Sequence, residues 1–164
     1  MLSKDIAQYI IVPSLKAYNA ETCKNASILV YGTGLVETGY ACLKQIGNPS
    51  NGGIGFFQME PSDYEFNRTW LYYPENFGIL KSLLNVSILP SIPVNPDSML
   101  SNIAFAACMC RIHYLHASEP LPDGANPADY AEYHKKYYNT ALGAADVQQN
   151  IPFFQRAIDE IGNI

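Results

Sequence analysis

The sequence is poor in charged residues and has no long apolar run. Asp, Glu, Lys and Arg make up only 15% of its 164 residues, and the net charge is −5. Nucleic-acid binding needs clustered Lys and Arg to contact phosphates, so this acidic balance argues against a nucleic-acid partner. No apolar run approaches the ~18 residues of a membrane-spanning helix. We therefore expect no membrane insertion.

Cysteine is also too sparse for a dense disulfide framework, and reduced, buried thiols are the expectation. The four cysteines are Cys23, Cys42, Cys108 and Cys110. The pair Cys108 and Cys110 is followed closely by His113 and His116, which suggests a zinc cluster at first sight. On a helix, however, two residues separated by two positions point about 200° apart. A packed helix is therefore favoured over zinc, and we expect no metal and no cofactor.

The first residues of the chain do not have the form of a signal peptide. Their apolar run is short, is interrupted by Gln8 and Pro13, and leads to no small-residue cleavage site. We therefore expect the protein to be made and folded in a cytoplasm.

What the sequence does contain predicts a mainly α fold in one domain that spans residues 1–164. Hydrophobic residues make up 48% of the chain, as in globular proteins of this size. Apolar periodicity and helix-boundary residues predict helices over about 3–18, 25–38, 61–71, 74–84, 98–117, 127–139 and 146–161. The apolar face of the first helix is expected to hold Ile6, Tyr9, Ile10 and Leu15, and Pro13 is expected to kink or split this helix. The apolar segment 98–117 is expected to be the central core helix, and a small β-hairpin beside the cleft is compatible with the pattern.

A single carboxylate at the end of the second predicted helix is the strongest indication of chemistry. One helical face, at the spacing i, i+3, i+4 and i+7, holds Val30, Thr33, Gly34 and Glu37. Because that face is small and mostly apolar, Glu37 is expected to be partly buried, which favours the protonated acid. Gly34 is expected to leave room for a group to approach the helix backbone. Gly39 fits the left-handed position that ends a helix.

The residues that follow predict a turn and then a short extended segment. Asn51-Gly52-Gly53 is the clearest turn signal, and the alternation over 56–60 is typical of extended chain. Pro61 then begins a helix. Cleavage of a glycosidic bond needs a protonated carboxylic acid beside the leaving oxygen, and Glu37 suits that role. A structural acid, hydrogen-bonded near a helix end, is the alternative.

Three motifs in order resemble the lytic transglycosylase (SLT) branch of the lysozyme superfamily. The first is E-T-G at 37–39, where the family usually has E-S-G. The second is G-I-G-F-F-Q-M-E-P at 53–61, similar to the family's G-x-x-Q-x-x-P segment. The third is Tyr138-Asn139-Thr140 with Gly143 after it, similar to the family's Y-N-A-G. The flanking segments at 110–122 and 130–143 resemble transglycosylase-like proteins of tailed bacteriophages.

The resemblance implies a lysozyme-like helical domain that cleaves the MurNAc–GlcNAc β-1,4 bond of peptidoglycan. It implies that Glu37 is the general acid and then the base, and that one acid suffices because the sugar's 6-hydroxyl attacks the anomeric carbon. A hydrolase, or muramidase, would need a second carboxylate, and the nearby candidates are Glu60, Asp63 and Glu65. Asp63 more readily serves the start of its helix, and Glu60, which lies on the same side as Gln58 if the segment is extended, is the least implausible partner. Tyr138 would hold the Glu37 carboxyl, or else be plain core. Gln58 would bind the glycan or orient the acid, or else cap the next helix.

The predicted substrate contacts are Phe57, Gln58, Met59, Glu60, Tyr138 and Asn139. The implied partners are peptidoglycan glycan strands and other phage virion or tail proteins. The implied setting is a protein made in the host cytoplasm that acts in the periplasm and cell wall, either as a virion component or as an endolysin. The alternative of another class is a structural or glycan-binding virion protein with a lysozyme-like fold and weak or no catalysis.

Overall fold

The computed structural model describes residues 2–18, 23–44, 52–139 and 146–164, and these residues confirm the mainly α class. The α-helices are α1 Leu2–Ile6, α2 Val12–Tyr18, α3 Cys23–Glu37, α4 Pro61–Leu71, α5 Phe77–Ser87, α6 Ser98–Ser101, α7 Ile103–Leu115, α8 Pro127–Tyr137 and α9 Val147–Gly162. A 3-10 turn, Pro74–Asn76, precedes α5. The described ranges contain no strand, and their only antiparallel pairings are two isolated bridges that join Ile54 to Lys44 and to Met59.

Proline interrupts the first predicted helix as expected. Between α1 and α2 the chain forms a π-helical turn, Ala7–Ile11, closed by the Val12 N–H on the Ala7 carbonyl. Pro13 has no N–H and its ring would crowd the carbonyl four residues earlier, so a wider turn just before it accommodates the ring. Tyr9, which we expected on the buried face, is 68% exposed. Because the π-helical turn has more residues per turn than an α-helix, Tyr9 no longer lies on the same helical face as Leu15, which is buried.

Helix α7 is the centre of the fold, as its apolar sequence predicted. It packs against α2, α3, α4 and α5, and its residues from Phe105 to Ile112 are all buried. The predicted segment 98–117 is divided at Asn102, which leaves the helical conformation. The Asn102 side chain accepts a hydrogen bond from the Phe105 N–H at 3.0 Å and so caps the start of α7.

Helices α3, α8 and α9 pack together beside this centre. Helix α9 lies against both α3 and α8, and the buried Phe154 ring fills the contact. A Cβ on Gly32 would lie 2.4 Å from that ring, so α3 can approach α9 only because residue 32 is glycine. This packing brings the end of α3 next to α8, which is where the candidate site forms.

The Cys-His segment of α7 is packed, with its two thiols in the core and its two imidazoles against α4. Cys108 and Cys110 are buried free thiols, and burial raises the pKa of Cys108 to about 12. His113 and His116 both lie against the buried Asn67, whose Oδ1 is 3.0 Å from His116 Nε2. Over the described ranges, no three His, Cys, Asp or Glu side chains are arranged to hold a metal ion.

No helix in the described part of the chain is both long and apolar enough to cross a bilayer.

Candidate active site

Glu37 is the last residue of α3, and the helix ends there as the sequence predicted. Gly39 adopts a φ of +57°, a left-handed conformation that suits glycine. The N–H of Gly39 bonds to the Leu35 carbonyl at 3.1 Å, which closes the last turn. The Glu37 side chain is 16% exposed, so the expected partial burial is confirmed.

The group that contacts the carboxyl is His134 of α8. Its Nε2 lies 3.1 Å from Glu37 Oε1, and the imidazole is wholly buried. Its ring stacks on Tyr138, with centroids 5.6 Å apart and planes at 20°. Sequence reasoning missed His134, although one signal was present. Residue 134 lies one helical turn before Tyr138, so both side chains share a face of α8.

Tyr138 contacts the turn and not the carboxyl, which corrects the prediction that it holds Glu37. Its hydroxyl donates to the Phe57 carbonyl at 2.8 Å. A tyrosine has one O–H to donate, so that proton is not available to the Glu37 carboxylate. Burial, followed by the negative potentials of Cys110 and Glu37, raises the pKa of Tyr138 well above its ordinary value. The hydroxyl therefore stays protonated and remains a donor.

The segment expected to be extended is a tight turn. Ile54 and Met59 exchange both backbone hydrogen bonds, at 3.0 and 3.1 Å. The chain reverses between them because Gly55 and Gln58 have φ values of +73° and +47°. The prediction of extended chain at 56–60 was wrong, because the alternation of residue types carries no information on the left-handed conformations of Gly55 and Gln58. The predicted hairpin is reduced to this one turn.

Thr38 fastens the same turn to the end of α3. Its Oγ1 donates to the Phe56 carbonyl at 2.8 Å and accepts the Tyr40 N–H at 3.1 Å. The consecutive carbonyls of Phe56 and Phe57 are thus bound from the ends of two different helices. Thr38, the Phe56–Phe57 pair and Tyr138, which are the described members of the three motifs in this contact, therefore meet in space although they are far apart in sequence.

The amide of Gln58 braces the turn from within. Its Nε2 donates to the Gly55 carbonyl at 2.8 Å, while the residue at the start of α4 is Glu60. The helix-capping alternative for Gln58 is therefore wrong, and its contact with a glycan stays a prediction.

Two of the predicted substrate contacts are core residues. Phe57 and Met59 are each 2% exposed, because the turn folds both side chains inward. Glu60 is exposed at the N-terminus of α4. The alternation that placed it beside Gln58 no longer applies, since the segment is not extended.

Asn139 is half-buried at the end of α8, where its N–H bonds to the His134 carbonyl at 3.1 Å. Its contact with a substrate stays a prediction. Asn51 of the turn signal, and Thr140 and Gly143 of the third motif, lie outside the described residues.

The space expected over Gly34 is filled by the protein itself. A Cβ at this position would lie 2.3 Å from the Tyr40 ring, and the Tyr40 hydroxyl donates to the Tyr31 carbonyl at 3.1 Å. Gly34 therefore admits an aromatic side chain of the same chain.

Neutral groups surround the Glu37 carboxyl on the α7 side. Burial raises the pKa of Tyr114 well above its ordinary value, and the nearby Cys110 and Glu37 add to the rise. Burial likewise raises the pKa of the Cys110 thiol, with a further contribution from Glu37. The Tyr114 hydroxyl is bonded at 2.8 Å to Thr33 Oγ1, which itself donates to the Leu29 carbonyl. Cys110 and Tyr114 therefore keep their protons at neutral pH.

No protein-family model, curated protein or solved structure matches the chain. Among the described residues, Glu37, the 55–58 turn and Tyr138 lie at one end of the α3–α8 contact.

Proposed function

We propose that the protein is a peptidoglycan lytic transglycosylase with a lysozyme-like fold. It cleaves the MurNAc–GlcNAc β-1,4 bond, and Glu37 is its general acid and base. The observation that carries the proposal is the setting of Glu37. Its carboxyl is mostly covered, bonded through Oε1 to His134, and adjacent to a turn that Thr38 and Tyr138 fasten in place.

In the proposed reaction one carboxyl group serves both steps. Protonated Glu37 gives its proton to the glycosidic oxygen as the C1–O4 bond breaks. The ionised Glu37 then takes the proton of the sugar's 6-hydroxyl as O6 bonds to C1. The product carries a 1,6-anhydro ring, no water is consumed, and Glu37 is protonated again.

A muramidase would place water where the 6-hydroxyl attacks and would use a second carboxylate. Of the candidates, Glu65 is exposed and held by Arg68 through hydrogen bonds of 2.8 and 2.9 Å. Those bonds lower the pKa of Glu65. Glu60 is exposed and begins α4. Asp63 lies in the first turn of α4, where negative charge is favoured. These positions support the lyase over the hydrolase.

The proposed setting is a tailed bacteriophage, which would use the enzyme to penetrate the cell wall or to lyse the host. Its partners would be glycan strands and, for a virion enzyme, other particle or tail proteins. Detection of the protein in purified particles by mass spectrometry separates a virion enzyme from an endolysin.

A second candidate is a structural or glycan-binding virion protein with weak or no catalysis. The observation that favours it is the same contact, because a carboxyl bonded to a wholly buried imidazole also fastens α3 to α8. That bond stabilises the fold whether or not the acid takes part in chemistry.

Lysis of chloroform-treated Gram-negative cells tests the choice. We expect the wild type to clear the suspension and to release products with the mass of 1,6-anhydro ends. Glu37→Gln should lower the rate by about 10²- to 10⁴-fold with little change in melting temperature, since the amide oxygen can still accept from His134. Glu132→Gln, an exposed acid on α8, is the matched control. Reducing ends would indicate a hydrolase, and wild-type lysis by Glu37→Gln would exclude the catalytic role.

A further inference from the structure

His134 is held in one orientation by its surroundings. Its ring lies between Tyr138, stacked at 5.6 Å, and Phe154, at 5.8 Å between centroids. Phe154 in turn packs directly on the backbone of Gly32. With aromatic rings of α8 and α9 against it, the imidazole keeps Nε2 directed at Glu37.

The two ring nitrogens have opposite environments. Nε2 is 3.1 Å from Glu37 Oε1. Nδ1 is buried, and in the described part of the chain no hydrogen-bond partner reaches it. A buried N–H without an acceptor is more costly than a bare lone pair, because under-satisfied acceptors are better tolerated than orphaned donors. The proton of the imidazole therefore belongs on Nε2.

This tautomer decides which oxygen of Glu37 carries the catalytic proton. With Nε2–H donating to Oε1, that oxygen is the carbonyl of the protonated acid, and the acidic proton resides on Oε2. After proton transfer the same bond supports the carboxylate, so it lasts through both steps. With the other tautomer, the O–H of protonated Glu37 would donate to the bare Nε2. The proton that the reaction needs would then be held in that hydrogen bond.

We infer that His134 is a positioning residue that fixes the catalytic proton on Oε2 of Glu37 through its Nε2–H. The inference rests on the proposed function for its catalytic part. It assigns a role to a residue that none of the three motifs contains, and it accounts for a buried histidine with one unpartnered nitrogen.

Substitutions at residue 134 separate the hydrogen bond from the packing. His134→Phe keeps a ring between Tyr138 and Phe154 but removes the donor. We expect kcat to fall by about 10- to 100-fold with KM little changed, since the loss concerns orientation of the acid and not glycan binding. His134→Gln, whose amide nitrogen reaches the position of Nε2, should recover most of that loss. His134→Asn, whose amide is shorter, should not.

These variants also guard against a trivial loss of folding. Melting curves identify a variant that does not fold, and the comparison of the Gln and Asn variants then stands in place of His134→Phe. Wild-type kcat in His134→Phe, or equal kcat in the Gln and Asn variants, would overturn the inference.

Nitrogen NMR of histidine-labelled protein gives a readout that does not depend on activity. We expect His134 to show a protonated Nε2 and an unprotonated Nδ1 at neutral pH, and Glu37→Leu to shift the Nε2–H signal. A protonated Nδ1, or an Nε2–H signal that does not shift in Glu37→Leu, would overturn the inference whatever the lytic rate. If the wild type cleaves no glycan, the proposed function fails, and NMR alone decides whether His134 holds the carboxyl in this way.

Discussion

Thr38 joins the end of helix α3 to Phe56 in the turn that lies beside it. Its hydroxyl donates to the Phe56 carbonyl at 2.8 Å and accepts the Tyr40 N–H at 3.1 Å. The next carbonyl, that of Phe57, is bound by the Tyr138 hydroxyl at 2.8 Å. The position of the turn relative to Glu37 therefore depends on two hydroxyl groups from different helices.

The first prediction removes one of these hydroxyls. Thr38→Val keeps the shape of the side chain but leaves the Phe56 carbonyl and the Tyr40 N–H without this partner. We expect a loss of about 1–2 kcal/mol in the free energy of unfolding and a lower rate of glycan cleavage, because the turn is no longer fastened. Denaturant unfolding and the lysis assay measure the two effects.

Thr38→Ser is the matched control, since serine supplies the same hydroxyl and stands at this position in the family that the sequence resembles. It should keep both properties close to wild type. Equal stability of the valine and serine variants would mean that the hydroxyl does not hold the turn.

The second prediction concerns the other hydroxyl. Tyr138→Phe keeps the ring that stacks on His134 but removes the donor to Phe57. We expect a loss of about 1 kcal/mol in stability, because the turn loses one hydrogen bond. The cleavage rate should fall by about 10- to 100-fold, because the loosened turn no longer keeps its position beside Glu37, although the ring that orients His134 remains. The neighbouring Tyr137→Phe, whose exposed hydroxyl lies 3.3 Å from Ser118 Oγ, should change neither property.

A normal cleavage rate in Tyr138→Phe, together with lower stability, would leave this hydroxyl with a structural role alone. A wild-type melting temperature would show that the bond to Phe57 contributes nothing.

The helix that carries Glu37 was predictable because its signals are local. The face that includes Val30 and Thr33 follows from the 3.6-residue period, and both residues are wholly buried. Gly39 marks the end of the helix because few other residues adopt a positive φ readily. Pro61 likewise begins α4 in the structure as predicted.

The contacts between distant segments were not predictable in the same way. That His134, and not Tyr138, reaches Glu37 is decided by how α8 rotates against α3 and α9, and no single-helix pattern carries this rotation. The turn at 55–58 depends on a left-handed Gln58, which the residue type disfavours. Tyr9 is exposed because the π-helical turn changes the register of its helix.

The third prediction tests how tightly this turn is packed. A Cβ on Gly53 would lie 2.4 Å from the backbone oxygen of Gln58, and backbone cannot move aside as a side chain can. Gly53→Ala should therefore lose about 1–3 kcal/mol and reduce cleavage. Gly78→Ala, in α5 with no atom within 4 Å of the added Cβ, should instead gain up to about 1 kcal/mol from helix propensity. Thermal unfolding compares the two, and a Gly53→Ala protein as stable as wild type would contradict the close contact.

The last prediction is a pH dependence that originates away from the candidate site. Glu160 of α9 is bonded to the Tyr31 hydroxyl of α3 and, at 2.9 Å, to Arg156 Nε. Burial alone would raise the pKa of Glu160, but the hydrogen bonds from Tyr31 and Arg156 outweigh it and hold the pKa below its ordinary value. Burial and Glu160 raise the pKa of Tyr31 to about 12, so Tyr31 stays a donor throughout the acid range.

The sign of the effect follows from proton binding. Because the folded pKa of Glu160 is lowered, the unfolded chain binds more protons in the acid range, and stability rises with pH there. The contribution is fully present above the unfolded pKa of about 4.3 and is lost as the pH falls through the folded pKa. We expect the difference in melting temperature between wild type and Glu160→Gln to be widest near pH 7 and to shrink toward pH 3. Glu75→Gln, an exposed acid in the 3-10 turn, serves as the control and should differ little from wild type. A gap for Glu160→Gln that stays constant or widens in acid would mean that the ionised carboxylate does not join α3 to α9.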